Sequence, residues 1–151
     1  MPIAIRVAER RDAPVVAEFN RRMAEETEHK HLDPAVLLAG VAALLSDRDK
    51  GIYYLACAGQ DIAGQLMITR EWSDWRNGWW WWIQSVYVRA DWRRKGIFQA
   101  LYRHILEAAK AEENVLGLRL YVEKDNAAAQ STYQKLGMTP MPYLFFDYWL
   151  T

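Results

Sequence analysis

The stretch Val86-Tyr87-Val88-Arg89-Ala90-Asp91-Trp92-Arg93-Arg94-Lys95-Gly96-Ile97-Phe98 decides how the rest of the chain is read. Apolar, β-branched and aromatic residues run into a basic turn with one glycine. A segment with Phe98, Leu101, Tyr102, Ile105 and Ala109 on one face begins at once. That pattern is a strand, a turn and a helix start. The first N–H groups of a helix have no partner inside it, and with the helix dipole they make an anion site. Gly96 lets the backbone approach such an anion, while Arg93, Arg94 and Lys95 add charge. On its own the stretch fits a phosphate-binding turn and a solvated basic loop about equally well.

Upstream, Ile3 to Val7 alternates like a short strand, and Asp12 offers an N-cap to a helix carrying Val16, Phe19 and Met23. That helix is expected to fade between Glu25 and His31. Asp33 and Pro34 open a second helix. Ile52 to Ala58 and Ile62 to Arg70 read as a hairpin about a Gly59 to Asp61 turn. A long strand from Trp79 to Val88 follows the Asn77-Gly78 turn signal. Downstream, Leu116 to Val122 is a strand, Asp125 or Asn126 caps a helix to about Leu136, and Gly137 stops it. Leu144 to Leu150 is expected as a final aromatic strand. The sum is a mixed α/β (α+β) sheet with four helices, one domain spanning residues 1–151.

The 151 residues suit one domain, and 52% hydrophobic with 25% charged residues is a globular mix. Nineteen basic and nineteen acidic side chains balance, which argues against a nucleic-acid or anionic-membrane coat. A single cysteine, Cys57, excludes an internal disulfide and an all-Cys zinc site. The longest apolar run, Val36 to Leu45, has ten residues, too few for a membrane span. With no basic segment leading an apolar run at the N-terminus, a cytoplasmic location is expected. His29 and His31 lack convergent ligands, so no metal is expected. Six of the eight tryptophans lie between Trp72 and Trp82.

Arg93-Arg94-Lys95-Gly96-Ile97-Phe98 resembles the acetyl-CoA motif of the GNAT superfamily, the Gcn5-related N-acetyltransferases: Arg or Gln, two residues, Gly, one residue, then Gly or Ala. A second family signature resembles Asn126, Ala129, Tyr133 and Leu136-Gly137-Met138, and the order of elements matches over nearly the whole chain. The resemblance implies a central sheet of about six to seven strands splayed between the fourth and fifth, and acetyl-CoA as acyl donor. It implies that backbone groups of Val86 and Val88 hold the pantetheine arm. The N–H groups of Arg94, Lys95, Gly96, Ile97, Phe98 and Gln99 would hold the pyrophosphate, with Arg93 at the head of the motif. Asn126 would touch the pantetheine arm, and Tyr133 would protonate the leaving thiolate. Asn126, Ala129 and Tyr133 share one helix face by their spacing. Phe98 departs from the motif but keeps its backbone N–H.

Transfer to an alkylammonium needs a proton acceptor. The positions where relatives carry one are Trp82 and Gln84 on the fourth strand and Tyr121 on the fifth, none of them a base. Glu71, at the end of the third strand, ranks first as a substitute and Glu26 second. Catalysis through water is equally open. Strand alternation puts Trp80, Trp82, Gln84, Val86 and Val88 on one face, so Trp80, Trp82 and Gln84 are candidates for the acceptor pocket, with Trp72 and Trp75 closing over it from a loop. A dimer interface is the competing use for these aromatics. The expectation is an N-acetyltransferase acting on a small primary amine in a ternary complex. Alternatives are a protein N-terminal or lysine acetyltransferase, and a CoA-binding regulatory module without catalysis.

Overall fold

Ala4–Val7 (β1) runs antiparallel to Ile52–Ala58 (β2), which pairs antiparallel with Asp61–Ser73 (β3), and that in turn with Gly78–Val88 (β4). Val115–Leu120 (β5) lies parallel to β4 and closes a five-stranded sheet in the order β1-β2-β3-β4-β5. The helices are Ala13–Glu28 (α1), Pro34–Leu45 (α2), Ile97–Ala111 (α3) and Ala127–Lys135 (α4). This computed structural model describes residues 2–150. It divides into two compact units, Met1–Leu120 and Tyr121–Thr151.

In the first unit, helices cover both faces of the sheet. α1 contributes the buried Val16, Phe19 and Asn20, and α3 contributes Ile97, Leu101 and Ile105. Val16, Leu55, Leu66, Leu101 and Ile105 are wholly buried. Asp12 stands before α1 as expected but does not cap it. Its two oxygens accept from Arg6 at 2.8 Å each, and Oδ2 also accepts from the Glu9 amide at 2.7 Å. A bidentate guanidinium is a stronger partner than a helix amide, so the carboxylate turns to it. Asp33 does cap α2, accepting from Ala35 N.

β3 is longer than the alternation suggests, because the strand continues through Glu71, Trp72 and Ser73 to the turn at Asn77, whose φ is +53°. Trp72 is therefore a strand residue opposite Trp79, and their rings meet edge to face at 4.9 Å. A bulge interrupts β4: Gln65 faces Tyr87 and Met67 faces Gln84, so β4 holds one extra residue, with Ser85 at φ +52°. Cross-strand partners share a face. The extra residue therefore puts Tyr87 on the side of Trp80, Trp82 and Gln84, and Val88 on the side of Trp81 and Ile83. Simple alternation placed Val88 with Trp80; the bulge corrects it.

Among the described residues the sheet has five strands, not six to seven, and Leu144 to Leu150 is not a strand. Its side chains are largely exposed and no neighbouring strand pairs with it. β-propensity alone makes no strand, since each ladder needs an edge to pair with. In the second unit Asn126 Oδ1 accepts from Ala129 N and starts α4. Gly137, at φ +97°, ends it, with Met138 N bonded to Tyr133 O.

Candidate active site

β4 and β5 pair from Trp79 opposite Val115 to Ile83 opposite Leu120, while β4 continues against β3 as far as Val88 opposite Gly64. The two central strands therefore part after Ile83. From Gln84 to Val88, the backbone edge of β4 away from β3 has no strand beside it. The bulge lies in this stretch and is held from below: Gln65, wholly buried, donates from Nε2 to Ser85 O at 3.0 Å and to Asn20 Oδ1 at 2.9 Å. Asn20 in turn donates to Tyr53 Oη. This buried relay ties the bulge to α1 and β2.

Beyond Val88 the chain turns through Ala90–Trp92 into Arg93–Gly96. Arg89 braces the turn by two bonds to Asp91, at 3.0 and 2.6 Å. The pairing raises the Arg89 pKa and holds the Asp91 carboxyl below its ordinary value. Arg94 and Gly96 both take the left-handed conformation, φ +63° and +79°. Left-handed residues set close together in a turn are the kind of backbone from which anion nests are built. Gly96 is the N-cap of α3 and has no side chain to cap it, so the first amides of a fifteen-residue helix open to the outside.

Arg93 does not point into this nest. Its Nε donates to Val88 O at 3.0 Å, and its Nη2 reaches both oxygens of Glu26 at 3.3 and 3.1 Å. Tyr87 Oη lies 3.4 Å from the same carboxylate, and burial together with that bond raises the phenol's pKa. Lys95 Nζ sits over the Trp92 ring at 5.2 Å.

Where β4 and β5 still pair, a second cluster forms. Glu71 Oε1 accepts from Trp82 Nε1 at 2.9 Å and from Arg119 Nη1 at 3.1 Å. The Arg119 Cζ lies over the Trp80 ring, 3.7 Å from its centroid, and 5.9 Å from that of Trp82. Gly117 makes room for this stack: a Cβ there would stand 2.9 Å from Trp80 Cζ3. Gln84 donates to Thr69 Oγ1 at 2.7 Å, one step nearer the splay.

The structure thus brings Trp80, Trp82 and Glu71 together. It sets Glu26 beside Arg93, and puts Val86 and Val88 on the open edge. Trp72 packs on Trp79 on the opposite face, and Trp75 is 92% exposed on the turn. In the second unit Asn126 caps α4 and Ala129 and Tyr133 lie on it, and burial raises the Tyr133 pKa. Arg119, Gly117, Gln65 and Asn20 escaped the sequence reading. Arg119 was signalled by being the one charged residue in the strand Val-Leu-Gly-Leu-Arg-Leu.

Residues 13–138 match the Acetyltransferase (GNAT) family. The chain belongs to the GNAT family. It is an acyltransferase of a family that uses acetyl-CoA. A crystal structure of a possible acetyltransferase from Clostridium difficile 630 is similar over 100% of this chain and 99% of that one, with 46% identity and a TM-score of 0.93. Two more distant structures share the fold. One is the ribosomal-protein-alanine N-acetyltransferase from Brucella melitensis biovar Abortus 2308, at 17% identity and TM-score 0.80 over 99% of this chain and 100% of that one. The other is a predicted acetyltransferase with acetyl-CoA from Clostridium acetobutylicum, at 17% identity and TM-score 0.77 over 97% and 96%. No curated protein matches the chain. No helix among the described residues is long and apolar enough to cross a membrane.

Proposed function

We propose that this GNAT protein is an N-acetyltransferase that moves the acetyl group of acetyl-CoA to a small primary amine, by direct transfer within a ternary complex. The observation that carries this reading is the parting of β4 from β5 after Ile83, beside an uncapped helix start. An open strand edge pairs with an amide-bearing arm, and a nest of amides receives a pyrophosphate. Val86 and Val88 supply the edge. Arg94, Lys95, Gly96, Ile97, Phe98 and Gln99 supply the nest, and Asn126 adds a contact to the arm. Arg93 reaches the pyrophosphate after leaving Glu26. The amine nitrogen attacks the thioester carbonyl, its proton passes to a carboxylate or through water to solvent, and the departing sulfur takes a proton from Tyr133.

An ammonium is the acceptor best suited to Trp80 and Trp82, because this aromatic pair with Glu71 already receives a cation, the guanidinium of Arg119. Glu71 is then the first proton acceptor, once the substrate takes Arg119's place on it, and Glu26 the second. Gln84 lines the same face. A cytoplasmic location fits the unpaired Cys57. One observation favours a second reading, a CoA-binding module without turnover: both carboxylates, Glu26 and Glu71, are ion-paired to arginine.

Binding comes first in either reading. Acetyl-CoA at millimolar concentration is expected to raise the melting temperature of the protein, because a ligand that binds only the folded state stabilises it. An unchanged melting temperature at that concentration would remove acetyl-CoA from the account.

A further inference from the structure

We propose that the acceptor is a zwitterion, a primary amine that also carries a carboxylate, as an amino acid does, and that Arg119 is the residue that selects it. This rests on the reading of Glu71, Trp80 and Trp82 as the wall against which the acceptor lies. Cross-strand partners put these residues and Arg119 on one face of β3, β4 and β5. There Glu71 and Arg119 are one acid beside one base. Their neighbours on that face, Thr69, Trp80, Trp82, Gln84 and Gly117, are uncharged.

This ion pair is one that can open. Arg6 and Asp12 show a structural clamp in the same chain: two bonds of 2.8 Å to a buried carboxylate. Arg119 instead bonds Glu71 from Nη1 at 3.1 Å, and the two side chains are 35% and 50% exposed. A pair with solvent on both partners is held weakly. A lone ammonium that took Glu71 would leave the guanidinium without its counter-charge. An amino acid brings both signs. Its ammonium goes to Glu71 over the ring of Trp80, where the guanidinium now lies. Its carboxylate goes to the fork of the freed Arg119, whose planar donors suit two parallel bonds. Each charge of the opened pair finds a new partner, and the site stays neutral. Trp80 and Trp82 then offer ring surface to an apolar side chain of the acceptor.

Matched acceptors test this. Leucine, methionine and phenylalanine are each compared with their amide and their decarboxylated amine in the thiol-release assay. The indole N–H signals of Trp80 and Trp82, followed by NMR with coenzyme A present, report binding without any need for turnover. The amino acid is expected to exceed its amide and its amine by about tenfold or more in kcat/KM, the worth of a hydrogen-bonded charge. Arg119→Gln is expected to erase that preference, and Arg119→Lys to keep part of it. If Arg119 were only structural, Arg119→Gln would slow all three kinds of acceptor alike, and that result would overturn the proposal. So would a wild-type protein that prefers the amide or the amine, or indole signals that the amino acids leave unmoved. Signals that move for the amino acids alone, and lose that response in Arg119→Gln, would uphold the subsite even without thiol release. In that case it is the transfer reading that falls.

Discussion

Arg119 changes the meaning of the residues around it. From the sequence, Glu71 is a free carboxylate at a strand end and Trp80 and Trp82 are an empty aromatic pair. In the structure one guanidinium serves all three, ion-paired to Glu71 and stacked on Trp80. The signal was weak because β4 and β5 pair in parallel across the whole of α3, and no local pattern states which residue of one strand meets which of the other. That Asn126, Ala129 and Tyr133 belong to one helix was legible because they are close in sequence. Tyr133 is the proposed acid for the leaving sulfur, and Tyr133→Phe is expected to lower kcat by about 10²-fold or more, the usual worth of a positioned acid, with acetyl-CoA affinity nearly unchanged. Steady-state kinetics beside a binding titration would check the split. Asp12 carries a pH dependence. Arg6 holds its pKa below the ordinary carboxylate value, so the stability it contributes is complete above about pH 4 and is lost as the pH falls through the depressed folded value. Asp12→Asn is expected to cost about 2–4 kcal/mol at neutral pH, by leaving Arg6 without its partner. The variant should also show a shallower loss of stability on acidification, read from urea melts between pH 2 and pH 7, a window of about five units around the carboxylate range.

Among the elements, the helices and the first four strands followed from periodicity and end signals, and the turn into α3 from its glycine. Two features did not. The β4 bulge adds a residue without any proline or glycine to announce it, since Ser85 itself takes the left-handed conformation. What holds it is the buried Gln65, far away in sequence. Leu144 to Leu150 had the composition of a strand but belongs to no ladder among the described residues, because propensity alone does not supply a partner. Gly117 shows the same dependence on tertiary context. Nothing local requires glycine there, yet the Trp80 ring covers it. Gly117→Ala is expected to push that ring off Arg119 at a cost of about 1–3 kcal/mol, the range for overpacking. Quenched tryptophan fluorescence and a lower urea midpoint would report the displaced stack; an unchanged midpoint would show that Trp80 has room to give.

At the scale of the whole molecule, two uses of a sheet are combined. Pairing of β1 to β4 builds a core with helices on both faces, and β4–β5 pairing ends early, at Ile83, a short way before the uncapped start of α3. Backbone groups that no strand pairs are costly unless something occupies them, and this is the region proposed above for the extended, amide-bearing acyl donor. The fold and the turn into α3 were readable because motif and topology sit within a few residues of one another. The cluster of Glu71, Trp80, Trp82 and Arg119 was not, because its side chains come from β3, β4 and β5 and meet only in three dimensions. The most direct test of transfer is free-thiol release from acetyl-CoA across a panel of primary amines, with product confirmed by mass. The account predicts thiol release in step with N-acetylated product for an amine of the panel, greatly slowed by Tyr133→Phe. Bound acetyl-CoA with no amine-dependent thiol release from any member of the panel would contradict it, leaving a CoA-binding module without transfer.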